Sequence, residues 1–166
     1  MDQRPIKKLA LFKQDLLMEG LGWAVLVFLF GYSILQYPQL PATIPTHFNL
    51  EGKPDGYGSK ASILLLPVIG AVLFGGMPIL NKYPHIFNYL YTVTEENAER
   101  QYRSATRLIR VMKLLVVCLF AFLQYKVIKG ATSGNARIGN GIWIIMLAGL
   151  VAPMAISFWM SRKEMK

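Results

Sequence analysis

The stretch LPATIPTHFNLEGKPDGYGSK, residues 40–60, lies between two long apolar runs. No charged residue lies between Glu19 and His47, and 21 uncharged residues separate Lys60 from Lys82. A hydrocarbon core about 30 Å thick is crossed by roughly 20 helical residues. The stretch therefore connects two predicted membrane-spanning helices.

Two further spans follow from the same test. Arg137 and Arg162 enclose 24 uncharged residues, whereas Lys113 and Lys126 enclose only 12. The span that contains Lys113 and Lys126 requires both lysines to extend their ammonium groups toward the membrane interfaces. The chain of 166 residues is 54% hydrophobic and 16% charged, which is typical of a membrane protein.

We therefore predict an all-α fold, a four-helix transmembrane bundle that forms a single domain over residues 1–166. The expected spans are roughly 20–38, 61–80, 109–129 and 139–160. A structured outer loop is expected at residues 39–60. A cytoplasmic segment at residues 81–108 is expected to contain a helix that extends into the third span.

Basic residues are distributed unequally among the connecting segments. The N-terminal arm, the segment before the third span and the C-terminal tail together carry 13 Lys and Arg residues, and the other two loops carry 5. Cytoplasmic loops are enriched in these residues, so we predict that both termini are cytoplasmic and that residues 39–60 face outward. The expected location is the bacterial cytoplasmic membrane, as a multi-pass protein. The net charge of +9 then reflects topology and attraction to anionic lipid, and nucleic acid is not implied as a partner.

The segment before the third span has its own pattern. Thr92 and Glu95 have the spacing of a capping box, which predicts a helix that begins there and runs unbroken into the third span. Arg103, Arg107 and Arg110 then lie on one face of this helix at the membrane surface. Two interpretations stay open, because the arginines suit either lipid phosphate or an acidic cytoplasmic protein partner.

Prolines restrict the chain that leaves the first helix. Pro38, Pro41 and Pro45 fix their own φ angle and hold each preceding residue in extended geometry. Alternate side chains of an extended segment share a face, so His47 and Asn49 are expected to point the same way. We expect a stiff segment that no sheet supports.

The triplet Pro-Asp-Gly at residues 54–56 predicts a turn. Proline presets the first dihedral angle, aspartate can bond its own backbone, and glycine accepts a positive φ. The turn would bring Asp55 close to His47, which predicts a hydrogen bond between these side chains. The residues expected to recognise a ligand or partner in the outer loop are Pro45, His47, Asn49, Gly52, Pro54, Asp55, Gly56, Tyr57 and Lys60.

Three kinds of site could use these polar residues. A calcium site is disfavoured because Lys53 occupies a ligand position. A zinc site would use His47 and Asp55 as candidate ligands, without the His or Cys spacing that zinc favours. Hydrolysis is disfavoured because Ser59 lacks a nucleophile elbow. We favour recognition by a non-enzymatic protein without a cofactor, and the alternative is a metal-dependent membrane enzyme that uses His47 and Asp55.

A longer pattern, LPxxIPxHFNxxGxPDGYxSK, runs through residues 40–60 between the two apolar spans. It resembles the bacterial membrane domain of unknown function found at the front of Sdp-type immunity proteins, most densely over residues 25–80. The resemblance implies protection from a secreted peptide toxin and recruitment of a cytoplasmic repressor to the membrane. The expected function is therefore toxin immunity or envelope-stress sensing by a short four-span member. The expected partners are the lipid bilayer, a peptide toxin or envelope ligand outside and a cytoplasmic protein, and a homo-oligomer stays open.

Labelling of introduced cysteines tests the predicted topology. In a Cys118→Ser background, Lys53→Cys should react with a membrane-impermeant thiol reagent in intact cells, whereas Glu96→Cys should react only after permeabilisation. Reaction of Glu96→Cys in intact cells would show that the orientation is the opposite of the predicted one.

Overall fold

The computed structural model describes residues 4–139 and 141–163, which are mostly helical. The helices are α1 (Lys13–Gln36), α2 (Leu65–Leu80), α3 (Ala98–Ser133) and α4 (Ile142–Lys163). The strands are β1 (Thr43–Phe48) and β2 (Pro54–Ser59). Short 3-10 helices occupy Tyr37–Gln39, Lys60–Leu64 and Pro84–Ile86.

Four helical segments in the described part of the chain are long and apolar enough to cross a membrane. They are Lys13–Gln39, Lys60–Leu80, Ala98–Ser133 and Ile142–Trp159. The four predicted apolar helices are thus confirmed, as is the helix that continues into the third span. The direction in which they cross stays a prediction.

Helix α3 begins at Ala98, so the predicted capping box near Thr92 is wrong. The Asn97 side chain accepts a hydrogen bond from the Thr94 N–H group and donates one to the Thr92 carbonyl. These bonds hold the preceding residues in a turn, because an Asn side chain competes with the helical backbone for its hydrogen bonds.

Residues 43–59 form a two-stranded antiparallel sheet, which corrects the all-α prediction and the expectation of an unsupported loop. Ile44 of β1 is buried against Leu40, Ile63 and Ile128. An isolated hairpin is only marginally stable in water, and this apolar contact anchors the sheet to one end of the bundle. We call this the hairpin end. The opposite arm end carries the N-terminal arm, residues 4–12, and the connection at residues 81–97.

Close packing of α1, α2 and α3 forms the core of the bundle. Leu26 and Leu29 of α1, Phe74 of α2 and Val117 of α3 are buried together. Gly22 of α1 lies so close to the Phe74 ring that a Cβ atom at this position would overlap it. A small residue at such a contact lets two membrane helices approach closely.

Large apolar side chains cover the outside of the helices. Leu35, Val72 and Ile144 are each more than two thirds exposed. Soluble proteins rarely expose apolar patches of this extent, whereas lipid tails solvate them. The outer surface is therefore that of a multi-pass membrane protein.

One amide connects three elements inside the bundle. The Gln124 side chain is buried, and its Nε2 donates hydrogen bonds to Ser33 Oγ and to the Ile63 carbonyl, each at 2.6 Å. The Ser33 hydroxyl in turn donates to the Leu29 carbonyl. Because Ile63 precedes α2, these bonds join α3 to both other spans of the core. Such bonds contribute about 1 kcal/mol each between membrane helices.

Gly22→Ala tests the contact between α1 and α2. We expect it to destabilise the protein by roughly 1–3 kcal/mol, because the added methyl group overpacks the fully buried Phe74 ring. Gly31→Ala is the matched control in the same helix, since nothing lies within 4 Å of a Cβ atom there, and it should be neutral or slightly stabilising. Thermal unfolding of the purified protein in detergent compares the two. Equal melting temperatures would contradict the packing.

Candidate functional site

The chain reverses direction at residues 49–53. The Asn49 side-chain oxygen accepts hydrogen bonds from the backbone N–H groups of Glu51 and Lys53, both at 3.0 Å. The Asn49 N–H group donates to the Lys53 carbonyl, and Gly52 has a φ of 69°, which L-residues rarely adopt. Asn49 therefore closes the hairpin, through its side chain rather than through a face shared with His47.

The Pro-Asp-Gly triplet opens β2 instead of turning, so the predicted turn is wrong. Pro54 pairs with Phe48, and Gly56 pairs with His47. A Cβ atom on Gly56 would lie only 2.9 Å from the His47 Cβ atom. The strand register shifts on both sides of His47 and leaves Asp55 out of the pairing, and such bulges re-aim side chains. His47 Nδ1 lies 2.5 Å from Asp55 Oδ1, so the predicted contact is confirmed but has a cross-strand origin.

The His47–Asp55 pair is exposed to solvent. The side chains of His47 and Asp55 are 73% and 44% exposed. Ion pairs and hydrogen bonds at such exposure contribute about 0–1 kcal/mol. The pair shapes the hairpin surface, while the turn at Asn49 and the contacts with the bundle supply most of the order.

The turn of the hairpin docks on the connection between α3 and α4. The Gly52 carbonyl accepts a hydrogen bond from the Ile138 N–H group at 3.0 Å, and Trp143 Nε1 donates to the Asn49 carbonyl at 3.2 Å. A Cβ atom on Gly52 would lie 2.8 Å from the Gly139 backbone. Gly52 is therefore required twice, for its positive φ and for this close approach.

A cleft of about 380 Å³ lies between the hairpin and the α3–α4 connection. Lys53 and Arg137 contribute its cationic groups. Lys53 forms a 2.6 Å ion pair with Glu51, and the hydrogen bond from Lys53 lowers the pKa of the Glu51 carboxyl, with a smaller effect from Arg137. Two cations face one carboxylate, so the cleft keeps a net positive charge. Lys53 and Arg137 lie 84 residues apart in sequence, and no local pattern joins them.

Some of the predicted recognition residues line the cleft, and others lie on the solvent-exposed surface of the hairpin. Pro45, Pro54 and Tyr57 line the cleft. Lys60 does not line it, because its Nζ lies 4.7 Å from the centroid of the Tyr37 ring. His47 and Asp55 lie on the exposed surface beside it.

The metal interpretation has two candidate ligands, His47 and Asp55. Across residues 4–139 and 141–163, no group of three or more His, Cys, Asp or Glu side chains lies together in a way that could hold a metal ion. Catalytic zinc sites in proteins use three protein ligands. The alternative of a metal-dependent enzyme therefore stays a prediction with an incomplete ligand set.

The three predicted arginines lie at the arm end, where Arg103 contacts the N-terminal arm and Arg107 and Arg110 face α1. Arg103 donates a hydrogen bond to the Ala10 carbonyl at 3.1 Å. Arg107 and Arg110 each place a guanidinium nitrogen 3.7 Å from Asp15 Oδ1, which is an ion-pair distance rather than a hydrogen bond. Groups of the protein itself thus neutralise much of this face. Binding of lipid phosphate or of a cytoplasmic partner by these arginines stays a prediction.

Two carboxylates of α1, a buried one at Asp15 and a partly buried one at Glu19, have no counterpart in the sequence-based prediction. Asp15 is 2% exposed. Glu19 carries one carboxylate oxygen 2.6 Å from Lys113 Nζ and the other 3.6 Å from Arg110 Nε. Lys113 was expected to extend to the interface, but it is 1% exposed and its ammonium group lies 4.0 Å from the centroid of the Phe74 ring. Its charge is therefore satisfied inside the protein by an ion pair and a cation–π contact.

The comparisons with known proteins concern the region of the hairpin. Residues 24–71 match the model of a domain of unknown function (DUF1648). The match covers the second half of α1, the whole hairpin and the beginning of α2, and it confirms the unknown-function domain that the resemblance implied. A protein of Archaeoglobus fulgidus, titled "Uncharacterized protein", is 27% identical over 163 residues, covering 90% of this chain and 84% of that protein. No solved structure matches the chain. The link to Sdp-type immunity proteins stays a prediction.

Asn49→Ala tests what holds the hairpin together. It removes the acceptor of two backbone N–H groups, at roughly 1 kcal/mol each, so we expect the local opening of the hairpin to increase about tenfold or more. His47→Ala should have a smaller effect, because its partner is exposed. Leu50→Ala is the control at the tip, since Leu50 is 82% exposed. Limited proteolysis or amide hydrogen exchange of the hairpin ranks the three, and a larger effect of His47→Ala than of Asn49→Ala would contradict this assignment.

Proposed function

We propose that this chain recognises a secreted peptide at the outer membrane surface, and that it serves toxin immunity or envelope-stress sensing without catalysis. The observation that carries the proposal is the cleft between the hairpin and the α3–α4 connection. The hairpin wall packs on the bundle through Ile44, and the α3–α4 connection is bonded to the hairpin through Ile138 and Gly52, so the cleft is formed before a ligand arrives. Preformed sites bind more tightly because less conformational entropy is lost on binding.

The lining of the cleft suits a short peptide segment. A volume of about 380 Å³ accommodates a few side chains rather than a large cofactor. Proline residues stiffen the hairpin wall, and Tyr57, which is 62% exposed, offers an aromatic surface of the kind enriched in protein interfaces. Lys53 and Arg137 favour a carboxylate on the peptide, either an acidic side chain or a free C-terminus.

The proposed outward orientation of the hairpin rests on charge. The connecting segments at the arm end and the tail carry 13 Lys and Arg residues, against 5 at the hairpin end. This excess favours a cytoplasmic arm end. A peptide secreted by neighbouring cells would then meet the hairpin first.

The family match supports the choice of the hairpin as the functional element. Residues 24–71 contain both strands and their turn, and the resemblance to the domain at the front of Sdp-type immunity proteins rests on the same stretch. We place His47 and Asp55 at the rim of the recognition surface. Their exposure leaves them accessible to a bound peptide.

A survival assay tests the proposal. Cells that express the chain should withstand the secreted peptide fraction of the source organism better than cells with an empty vector. Lys53→Gln combined with Arg137→Gln should remove this protection, because both charge-assisted contacts are lost. Lys126→Gln is the control, since it removes a charge from the same end of α3 but does not line the cleft. Membrane levels of each variant are compared by immunoblot.

The outcomes separate the candidate functions. For sensing, the same variants should abolish a transcriptional response to the peptide fraction while survival stays unchanged. Protection or response that is identical in the double variant and in Lys126→Gln would contradict recognition by the cleft. A stoichiometric metal ion in the purified protein, lost in His47→Ala, would instead favour the metal-dependent enzyme.

A further inference from the structure

A second cavity, of about 820 Å³, lies at the arm end. The N-terminal arm, α1, the end of α2, the 81–97 connection and α3 line it. Its apolar lining residues include Ile6, Leu9, Leu11 and Pro78. Its basic lining residues include Lys7, Lys8, Lys82 and Arg110, and Glu19 contributes a carboxylate. The lining thus combines apolar and cationic side chains, as an amphiphile requires.

The N-terminal arm is fastened across this cavity at both of its ends. Near its start, the Tyr102 hydroxyl donates a hydrogen bond to the Pro5 carbonyl at 2.9 Å, and Arg4 donates to two carbonyls of the 81–97 connection at 3.2 and 2.5 Å. Near its end, Arg103 donates to the Ala10 carbonyl at 3.1 Å. The arm has no helix or strand of its own, so these bonds hold it over the cavity.

Polar groups without hydrogen-bond partners lie in the cavity wall. Within the described residues, neither the nitrogen nor the oxygen of the Asn81 amide has a hydrogen-bond partner, and both atoms are enclosed. Arg110 Nε likewise has none, and the Arg110 side chain is only 10% exposed. An unsatisfied buried polar group destabilises the folded state. A ligand that bonds to the Asn81 amide recovers this free energy, whereas Arg110 Nε already lies 3.6 Å from Glu19 Oε1.

The charges that line the cavity do not balance within the protein. Lys7 is paired with Glu95 at 2.8 Å, and Glu19 is engaged by Lys113 and Arg110. Among the residues that the structure describes, Lys8 and Lys82 have no acidic partner. Two positively charged side chains of the lining are therefore available to an anion.

We propose that this cavity binds an anionic phospholipid, with the phosphate at Lys8, Lys82 and Asn81 and an acyl chain against Ile6, Leu9 and Leu11. Basic pockets at the ends of membrane helices are known to hold lipid headgroups. A lipid is favoured over free phosphate because the apolar wall would stay unfilled without an acyl chain. Arg110 also lines the cavity, but its guanidinium group, like that of Arg107, meets carboxylates of α1, so the phosphate is not assigned to it. The site is independent of peptide recognition at the hairpin end.

Lipid-dependent stability of the full chain tests the proposal. The detergent-purified protein is mixed with phosphatidylglycerol, with phosphatidylcholine or with inorganic phosphate, and its melting temperature and the retention of lipid in native mass spectrometry are recorded. We expect phosphatidylglycerol to raise the melting temperature well above either of the other additions, since binding to the folded state alone stabilises it.

Three variants make the test specific. Lys82→Gln should weaken phosphatidylglycerol binding about tenfold, as expected for loss of one charge-assisted hydrogen bond. Lys13→Gln is the matched control, because it removes one charge from an exposed position at the same end that does not line the cavity. Asn81→Leu leaves the net charge unchanged, and it should also weaken phosphatidylglycerol binding even if the lipid-free protein becomes more stable.

The opposite results would overturn the assignment. Equal weakening by Lys13→Gln and Lys82→Gln would show general attraction to the basic surface rather than a site. Undiminished binding of phosphatidylglycerol by Asn81→Leu would show that the lipid does not bind in this cavity. Stabilisation by inorganic phosphate as large as that by phosphatidylglycerol would exclude a lipid as the specific ligand.

Discussion

Five charged side chains meet where α1 and α3 pack at the arm end, and the arrangement of the bundle depends on them. Arg107, Arg110 and Lys113 of α3 face Asp15 and Glu19 of α1. A single charge buried in this way is costly, and removal of one partner from a buried pair costs about 3–5 kcal/mol. The pairing therefore specifies which faces of the two helices meet, and how far each is shifted along the other.

Helix α2, the remaining helix of the core, is positioned by the same cluster. Phe74 of α2 lies beside the Lys113 ammonium group and over Gly22 of α1. A larger residue at position 22 would displace the ring, and displacement of the ring would remove the cation–π contact. Farther along α3, Gln124 bonds to α1 and to the 3-10 helix before α2. Lys113 and Gln124 are 11 residues apart, or about 16 Å along a helix, so two separate polar contacts fix the relative shift of these helices.

The two ends of the bundle use their loops differently. At the hairpin end, a two-stranded sheet that would be marginal alone gains its order from Asn49 and from bonds to the α3–α4 connection. At the arm end, a segment without regular structure is fastened by side chains of α3. Each loop lines a cavity against the helices, one with a net positive charge, the other with both apolar and basic residues. Loops that carry function on a rigid scaffold commonly have this arrangement.

The sequence by itself determined the helical spans, because the length of an uncharged apolar run is a local property that the bilayer thickness makes decisive. It also predicted that α3 continues into the third span and that His47 and Asp55 meet, although the contact forms across the two strands and not through the predicted turn. Only the tertiary structure decided where the chain reverses. Both the Pro-Asp-Gly triplet and the segment beginning at Asn49 have turn chemistry, and docking of Gly52 against the α3–α4 connection selected the second.

The environment of the charges was likewise decided by the tertiary structure. A stripe of basic residues at the end of a span has the same sequence signature whether it faces lipid or another helix. Lys113 and Glu19 lie 94 residues apart, and no local pattern joins them. The two groups meet only in the folded bundle, where a buried ammonium group is stable because a carboxylate pairs with it.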